Sequence, residues 1–286
     1  MKQLKSSWRF VRVYPVIPLI LIGFLVFAAM FAELITTNNG EGGDLFYRNF
    51  PPSWYENGST YYILGADPLG RDVFARVIFG ARISLMVATI VLSLGGLIGT
   101  LIGLIAGYKG GQIDELLMRF VDLTFAIPFI LVALVTVIVL GQSMSVIVLL
   151  LIIFSWGAFA RQIRGEALAL KGRDYVSIAR ISGATTPYIL WKHIFPGVVN
   201  TLFVIGSLRV GSLILTESVL SYLGVGVPPP TPAWGAMVSD GRDYIATAWW
   251  VTFFPGLAIF LTVMAFNFLG DWLRDYLDPR LRQLRE

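Results

Sequence analysis

The sequence predicts an all-α integral membrane protein with six transmembrane helices, and three observations carry that expectation. Hydrophobic residues make up 56% of the 286-residue chain and charged residues only 14%, with a mean hydropathy of +0.73, more apolar than a water-facing surface tolerates. Apolar windows near the length that crosses a hydrocarbon core recur at roughly 14–35, 83–108, 120–141, 144–160, 197–221 and 248–270. The basic residues between those windows are distributed unevenly, as in a chain with a fixed orientation.

The first window follows Lys2, Lys5, Arg9 and Arg12. Its apolar run is longer than a secretory signal requires and no A-x-A cleavage site follows, so it reads as a retained span, 14–36, behind an N-terminal segment 1–13. Residues 37–80 form an external segment in which "TTNNGEGGD" and "FPPSWYENGST" are turn-rich. Next comes "LGRDVFARVIFGARISL", where Val73, Phe74, Val77 and Ile78 recur at helical spacing among Arg71, Asp72, Arg76 and Arg82. That pattern predicts a helix lying in the outer interface. Asn57-Gly58-Ser59 fits a glycosylation sequon, and a chance match explains it.

The remaining spans occupy 81–271, ahead of a C-terminal tail 272–286. Gly95, Gly99, Gly103 and Gly107 in the second span repeat every four residues and so share nearly one helix face. Lipid gives helices no hydrophobic reason to pair, whereas glycines let backbones approach closely. The face therefore predicts tight packing, within this bundle or against another subunit. Three ionisable residues, Asp122, Arg209 and Glu217, fall inside or near spans, where charge is expensive. They are candidates either for a translocation pathway or for buried structural polar contacts.

With the N-terminus inside, the inner segments carry Lys2, Lys5, Arg9, Arg12, Lys109, Arg119, Arg161, Arg164, Lys171, Arg173, Arg180, Lys192, Arg274, Arg280, Arg282 and Arg285. The outer segments carry only Arg48, Arg71, Arg76, Arg82 and Arg242. Both termini are thus expected in the cytoplasm, and the net charge of +4 reflects topology and membrane lipid, with no nucleic-acid partner implied. The chain has no cysteine and a single histidine, His193, which excludes thiolate chemistry and histidine metal clusters. It contains no phosphate-binding G-x-x-x-x-G-K-[ST] loop, no H-E-x-x-H and no G-x-S-x-G. No catalytic residue, bound cofactor or metal is expected, which leaves transport or a scaffold role.

The inner segment of about 161–196 is too long and too carefully punctuated for a simple connector. In "YVSIARISGATTPYILWKHIFPG", Gly183 can end one short helix, and Thr186-Pro187 reads as the cap and first position of another. Ala179 and Gly183, four apart, would leave a low surface flanked by Tyr175 and Arg180, suited to a cleft on another protein.

This stretch resembles the cytoplasmic "EAA" loop of ATP-binding-cassette importer permeases. Ser177-Ile178-Ala179 stands at the first triplet, Gly183 at the glycine and His193-Ile194-Phe195-Pro196 at the end. Ser177 stands where the family has Glu, Ile178 where it has Ala and His193 where it has Ile. "LGADPLGRDVFARVIFGARISL", "MRFVDLTFAIP", "ESVLSYLGVGVPPPTPAWGAMVSDGR" and "NFLGDWLRDYLDPR" resemble the C-type subunit of the dipeptide/oligopeptide/nickel permease family.

The resemblance implies a type I importer fold, one extra N-terminal helix before a five-helix core, in the cell inner membrane. It implies a homologous B-type permease, two cytoplasmic ATPases that bind ATP and Mg, and an extracytoplasmic solute-binding protein. Tyr175, Ser177, Ala179, Arg180, Gly183, Ala184 and Pro196 would contact an ATPase, while Tyr222–Tyr244 with Leu64–Ile83 would meet the binding protein. Di- or oligopeptides are the solute the family implies, with nickel complexes or oligosaccharides as alternatives. A secondary transporter is the competing class, but the sequence shows no clear internal repeat of the kind that class usually carries.

Overall fold

The computed structural model describes residues 15–277. The expected segment 1–13, the start of the first span and the end of the tail, with Arg280, Arg282 and Arg285, lie outside the described residues. Among the described residues there is no sheet, only an isolated antiparallel bridge between Ala66 and Asp72. The helices are α1 (Val16–Met30), α2 (Ala32–Ile35), α3 (Val73–Lys109), α4 (Gly111–Ala126), α5 (Phe129–Leu140), α6 (Met144–Lys171), α7 (Asp174–Ile181), α8 (Thr186–Ile189), α9 (Phe195–Tyr222), α10 (Trp234–Gly241) and α11 (Trp250–Leu277).

Among the described residues, four stretches are long and apolar enough to cross a membrane: α3, α6, the continuous run Thr186–Tyr222 and α11. The third expected span is broken, since α4 and α5 meet at 77°. Pro128 causes the break. It biases the preceding residue away from helical torsions, and Ile127 is extended at φ −93°, ψ 125°. Counted as one span, this pair makes five, and the first expected span appears as the shorter apolar helix α1.

Two expectations need correction. The separate interfacial helix does not exist, because Val73 begins a 37-residue helix that runs unbroken to Lys109. Its supposed polar ground is also buried: Arg71, Asp72 and Arg76 are enclosed. The second short inner helix is not separate either. Thr186–Ile189 passes through a π turn, Leu190–Ile194, directly into α9. The Phe195 N–H reaches back five residues to the Leu190 carbonyl, a widened turn just before Pro196, which has no N–H to donate.

The chain divides into two compact units. One comprises residues up to Thr89 with Ala133–Ile147 and Val210–Leu269, and the other comprises Ile90–Val132, Val148–Arg209 and the residues from Gly270. The first is built around Val73, Ala81, Ile214, Trp234, Trp250 and Val251. The second is built around Leu104, Tyr108, Ile163, Ala167, Val176, Ile189, Ile194 and Val198.

Candidate functional site

In the second unit the glycine stripe lies directly on α6. A β carbon at Gly103 would stand 2.6 Å from the Ala160 carbonyl oxygen, and one at Gly107 2.7 Å from Ala167 Cβ. At Gly99 it would stand 2.7 Å from Phe159 Cβ, and at Gly95 it would meet the Ser155 hydroxyl. The helices are in backbone contact along the seam, which is what small residues allow where no hydrophobic drive exists. Farther along α6, Arg164 makes a forked pair with Asp114 of α4, Nε to Oδ1 at 2.5 Å and Nη2 to Oδ2 at 2.6 Å.

That α6 framework carries the short helix α7. The helix α7 ends in a Schellman motif: the Ala184 N–H bonds the Ala179 carbonyl at 3.0 Å and the Gly183 N–H bonds the Arg180 carbonyl at 3.1 Å. Gly183 sits at φ +83°, a torsion that favours glycine. The motif turns Ala179 and Ala184 together onto the core formed by Ile163, Val176, Ile189 and Val198.

Ala179 and Ala184 are half-buried against that core, while Gly183 between them in the turn is exposed. The outward face of α7 presents Tyr175, Ile178 (63% exposed) and Ile181 (87% exposed), with Trp191 also outside. Ser177 and Gly183 are exposed, and so is Pro196 in the first turn of α9. Arg180 does not simply flank the surface, because its guanidinium lies 5.6 Å over the Tyr108 ring, with the Lys171 ammonium over the same ring at 5.8 Å. The first contact fastens α7 to α3, and the second fastens α6 to α3. His193 is half-buried between Tyr175 and Tyr188.

The three ionisable candidates separate. Asp122 is exposed on α4 and pairs with Arg161 at 2.6 Å, while the Arg161 guanidinium also lies 4.8 Å over Phe125. Arg209 is half-buried in α9. Glu217, in the first unit, is 1% exposed. Its Oε1 accepts from the Ser221 hydroxyl at 2.7 Å, and that hydroxyl oxygen in turn accepts from the Val227 N–H at 3.2 Å. Glu217 is thus walled into the fold and braces the turn that ends α9, where Gly224 adopts φ +77°.

In the first unit, side-chain hydrogen bonds tie together the segments between the spans. Trp234 donates from Nε1 to the Val77 carbonyl at 2.9 Å, and Trp250 donates to the Ala66 carbonyl at 3.2 Å. Arg48 reaches the Tyr244 hydroxyl at 2.6 Å. Outside the membrane-spanning helices, burial pushes the Asp72 carboxyl above its ordinary range, and a hydrogen bond with Tyr222 raises the exposed Arg242 guanidinium. Among the described residues no three His, Cys, Asp or Glu side chains converge as a metal site.

The long apolar helices agree with what the chain is similar to. Residues 99–283 match the family described as binding-protein-dependent transport system inner membrane component. The chain belongs to that family. It is a permease subunit of an ABC importer, all-helical, of the type I permease fold. The permease is 47% identical over 227 residues to the glutathione transport system permease protein GsiD of Pectobacterium atrosepticum, covering 79% of this chain and 75% of that one. It is 40% identical over 260 residues to the di/tripeptide transport system permease protein DppC of Pseudomonas aeruginosa, covering 90% and 85%. It is 42% identical over 259 residues to GsiD of Escherichia coli, covering 90% and 84%.

Sequence reasoning missed three features of the permease. Ile178 and Ile181 were legible as apolar residues three apart in a segment expected outside the bilayer, but the alanines drew the assignment. Asp114 and Arg164 are 50 residues apart, and nothing local pairs them. The buried charge set around Arg71 and Arg76 had a partial signal, the i,i+4 spacing of Asp67 and Arg71.

Proposed function

We propose that the permease forms half of a translocation pathway for di- or oligopeptides and passes the motion of ATPase subunits to its spans through α7. On this reading the chain sits in the cell inner membrane with both termini cytoplasmic. It pairs with a homologous B-type permease and receives solute from an extracytoplasmic binding protein. It binds no nucleotide itself: ATP and Mg are held by two cytoplasmic ABC ATPases, and the chain performs no chemistry.

One observation carries the reading, the division of α7 into two faces. Val176 and Ala179 pack on the permease's own core, while Tyr175, Ile178 and Ile181, at i, i+3 and i+6, stand out from it. An apolar strip at that spacing on a helix between two spans fits a groove on a partner. The inner face, the Schellman turn and the Arg180–Tyr108 contact would make α7 move with α3 and α6 as one body. Arg180 and Lys192 would steer the approach at the rim. The peptide assignment is supported by the relatives named for glutathione and for di- and tripeptides, both short peptides.

The test is Ile181→Asp in the complete complex. Membrane insertion and pairing with the second permease are expected to persist, while ATPase retention on affinity purification falls at least about tenfold, as loss of a buried interface anchor implies. Full retention of the ATPases would exclude α7 as the coupling contact.

A further inference from the structure

The short helix α10 is mounted at both ends. At its start Trp234 bonds the Val77 carbonyl and fills the space left by Gly80, where a β carbon would lie 2.6 Å from Trp234 Cδ1. At its end Asp240 Oδ2 accepts from Arg71 Nη2 at 2.9 Å, with Arg76 Nη2 at 4.0 Å from the same oxygen. Both guanidiniums also converge on Asp67 Oδ2, Arg71 Nε at 2.6 Å and Arg76 Nε at 3.6 Å. Arg76 Nη1 further bonds the Gly40 carbonyl at 3.1 Å. Two side chains thereby join the Gly40 loop, the Asp67 turn and α10.

Arg71, Arg76 and Asp67 are buried, whereas Asp240 is 42% exposed on its side chain and is followed by the exposed Arg242 and Asp243. Burying two guanidiniums is costly, and apolar packing of the same volume stabilises a fold as well or better. What arginine adds is a rigid fork that can engage two carboxylates at once, which fixes orientation as well as proximity. The half-open acid at the far end places that fixed orientation at the surface.

We propose that Arg71 and Arg76 are positioning residues that hold α10 and the Arg242–Tyr244 turn in the orientation that meets the solute-binding protein. This rests on the importer reading above. They act through Asp240.

The experiment uses Arg71→Lys in the assembled complex in nanodiscs, where a single ammonium keeps the charge but cannot fork between Asp67 and Asp240. Two readouts are taken: amide hydrogen exchange across α10, and ATPase rate titrated with the cognate solute-binding protein. The variant is expected to exchange faster throughout α10 and to need about tenfold more binding protein for half-maximal stimulation, at an unchanged maximal rate, since orientation governs encounter more than turnover. Arg119→Lys, in an exposed pair with Glu115 on α4, is the control for both. If Arg71→Lys does not assemble, Asp240→Asn cuts the same link. An unchanged half-saturating concentration in a complex that the binding protein does stimulate would overturn the proposal. If the native complex is not stimulated at all, the importer reading fails instead. The exchange readout then decides the mount alone: faster exchange supports it and unchanged exchange refutes it.

Discussion

Replacing Gly99 and Gly103 together by Leu tests the α3–α6 seam in a way the geometry can size. At Gly103 the first added carbon lies 2.6 Å from the Ala160 carbonyl oxygen and 3.0 Å from both the Arg164 nitrogen and Ile163 Cβ. Carbon contacts are comfortable near 3.5–4.0 Å, so the helices must part by roughly 0.5–1 Å, a gap that forfeits a quarter to a half of each dispersion contact along the seam. Overpacking a well-packed contact costs about 1–3 kcal/mol per site. The two positions share one seam and so are not additive, which puts the pair at about 2–5 kcal/mol. The assay is thermal unfolding of the detergent-solubilised permease, followed by fluorescence-detected size exclusion, with Gly206→Ala beside it. A β carbon at Gly206 meets nothing within 4 Å, so that change is expected to be neutral or stabilising by up to about 1 kcal/mol. A double Leu variant that melts with the native protein would refute the claim that these backbones touch.

Three further outcomes follow from single sites. Gly183→Ala places a β carbon at φ +83° and is expected to cost about 1 kcal/mol of α7 order, while Gly183→Asn costs less because Asn tolerates that torsion; peptide-level hydrogen exchange at 174–184 distinguishes them. Asp114→Asn breaks the forked pair with Arg164 and is expected to lower stability by about 1–3 kcal/mol, and a double-mutant cycle with Arg164→Met should return a coupling of the same sign. Glu217→Gln keeps an acceptor for the Ser221 hydroxyl and is expected to accumulate normally, whereas Glu217→Ala removes the acceptor of that buried O–H, leaving only the bond from the Val227 N–H, and costs about 1–3 kcal/mol, read as loss of folded protein in the membrane.

The glycine stripe was legible because it is a pattern within one helix: a four-residue period states which face must be small before any partner is known. The helix stop at Gly183 was legible for the same reason, since capping chemistry is local. The direction α7 faces was not. Ala179 and Ile178 are neighbours on a two-turn helix, and only the position of Ile163 and Val198, brought in from α6 and α9, decides which of them turns inward. The unbroken α3 was misread because Arg71, Asp72 and Arg76 look like solvent-facing polar residues until Asp67, Asp240 and Gly40 close around the two arginines. Glu217 was placed on the right helix, but its enclosure depends on Ser221 and the turn beyond it. Long-range pairing, rather than propensity, accounts for each of these differences.

On the proposed function, this permease subunit moves peptide only together with its partner subunits and ATP. The most direct measurement is uptake of a labelled tripeptide into proteoliposomes carrying the permease pair, with the ATPases and ATP on one face and the binding protein on the other. The expected result is uptake that requires ATP hydrolysis and the binding protein and survives collapse of every ion gradient. Uptake by the permease alone, driven by a proton or sodium gradient and indifferent to ATP, would contradict it.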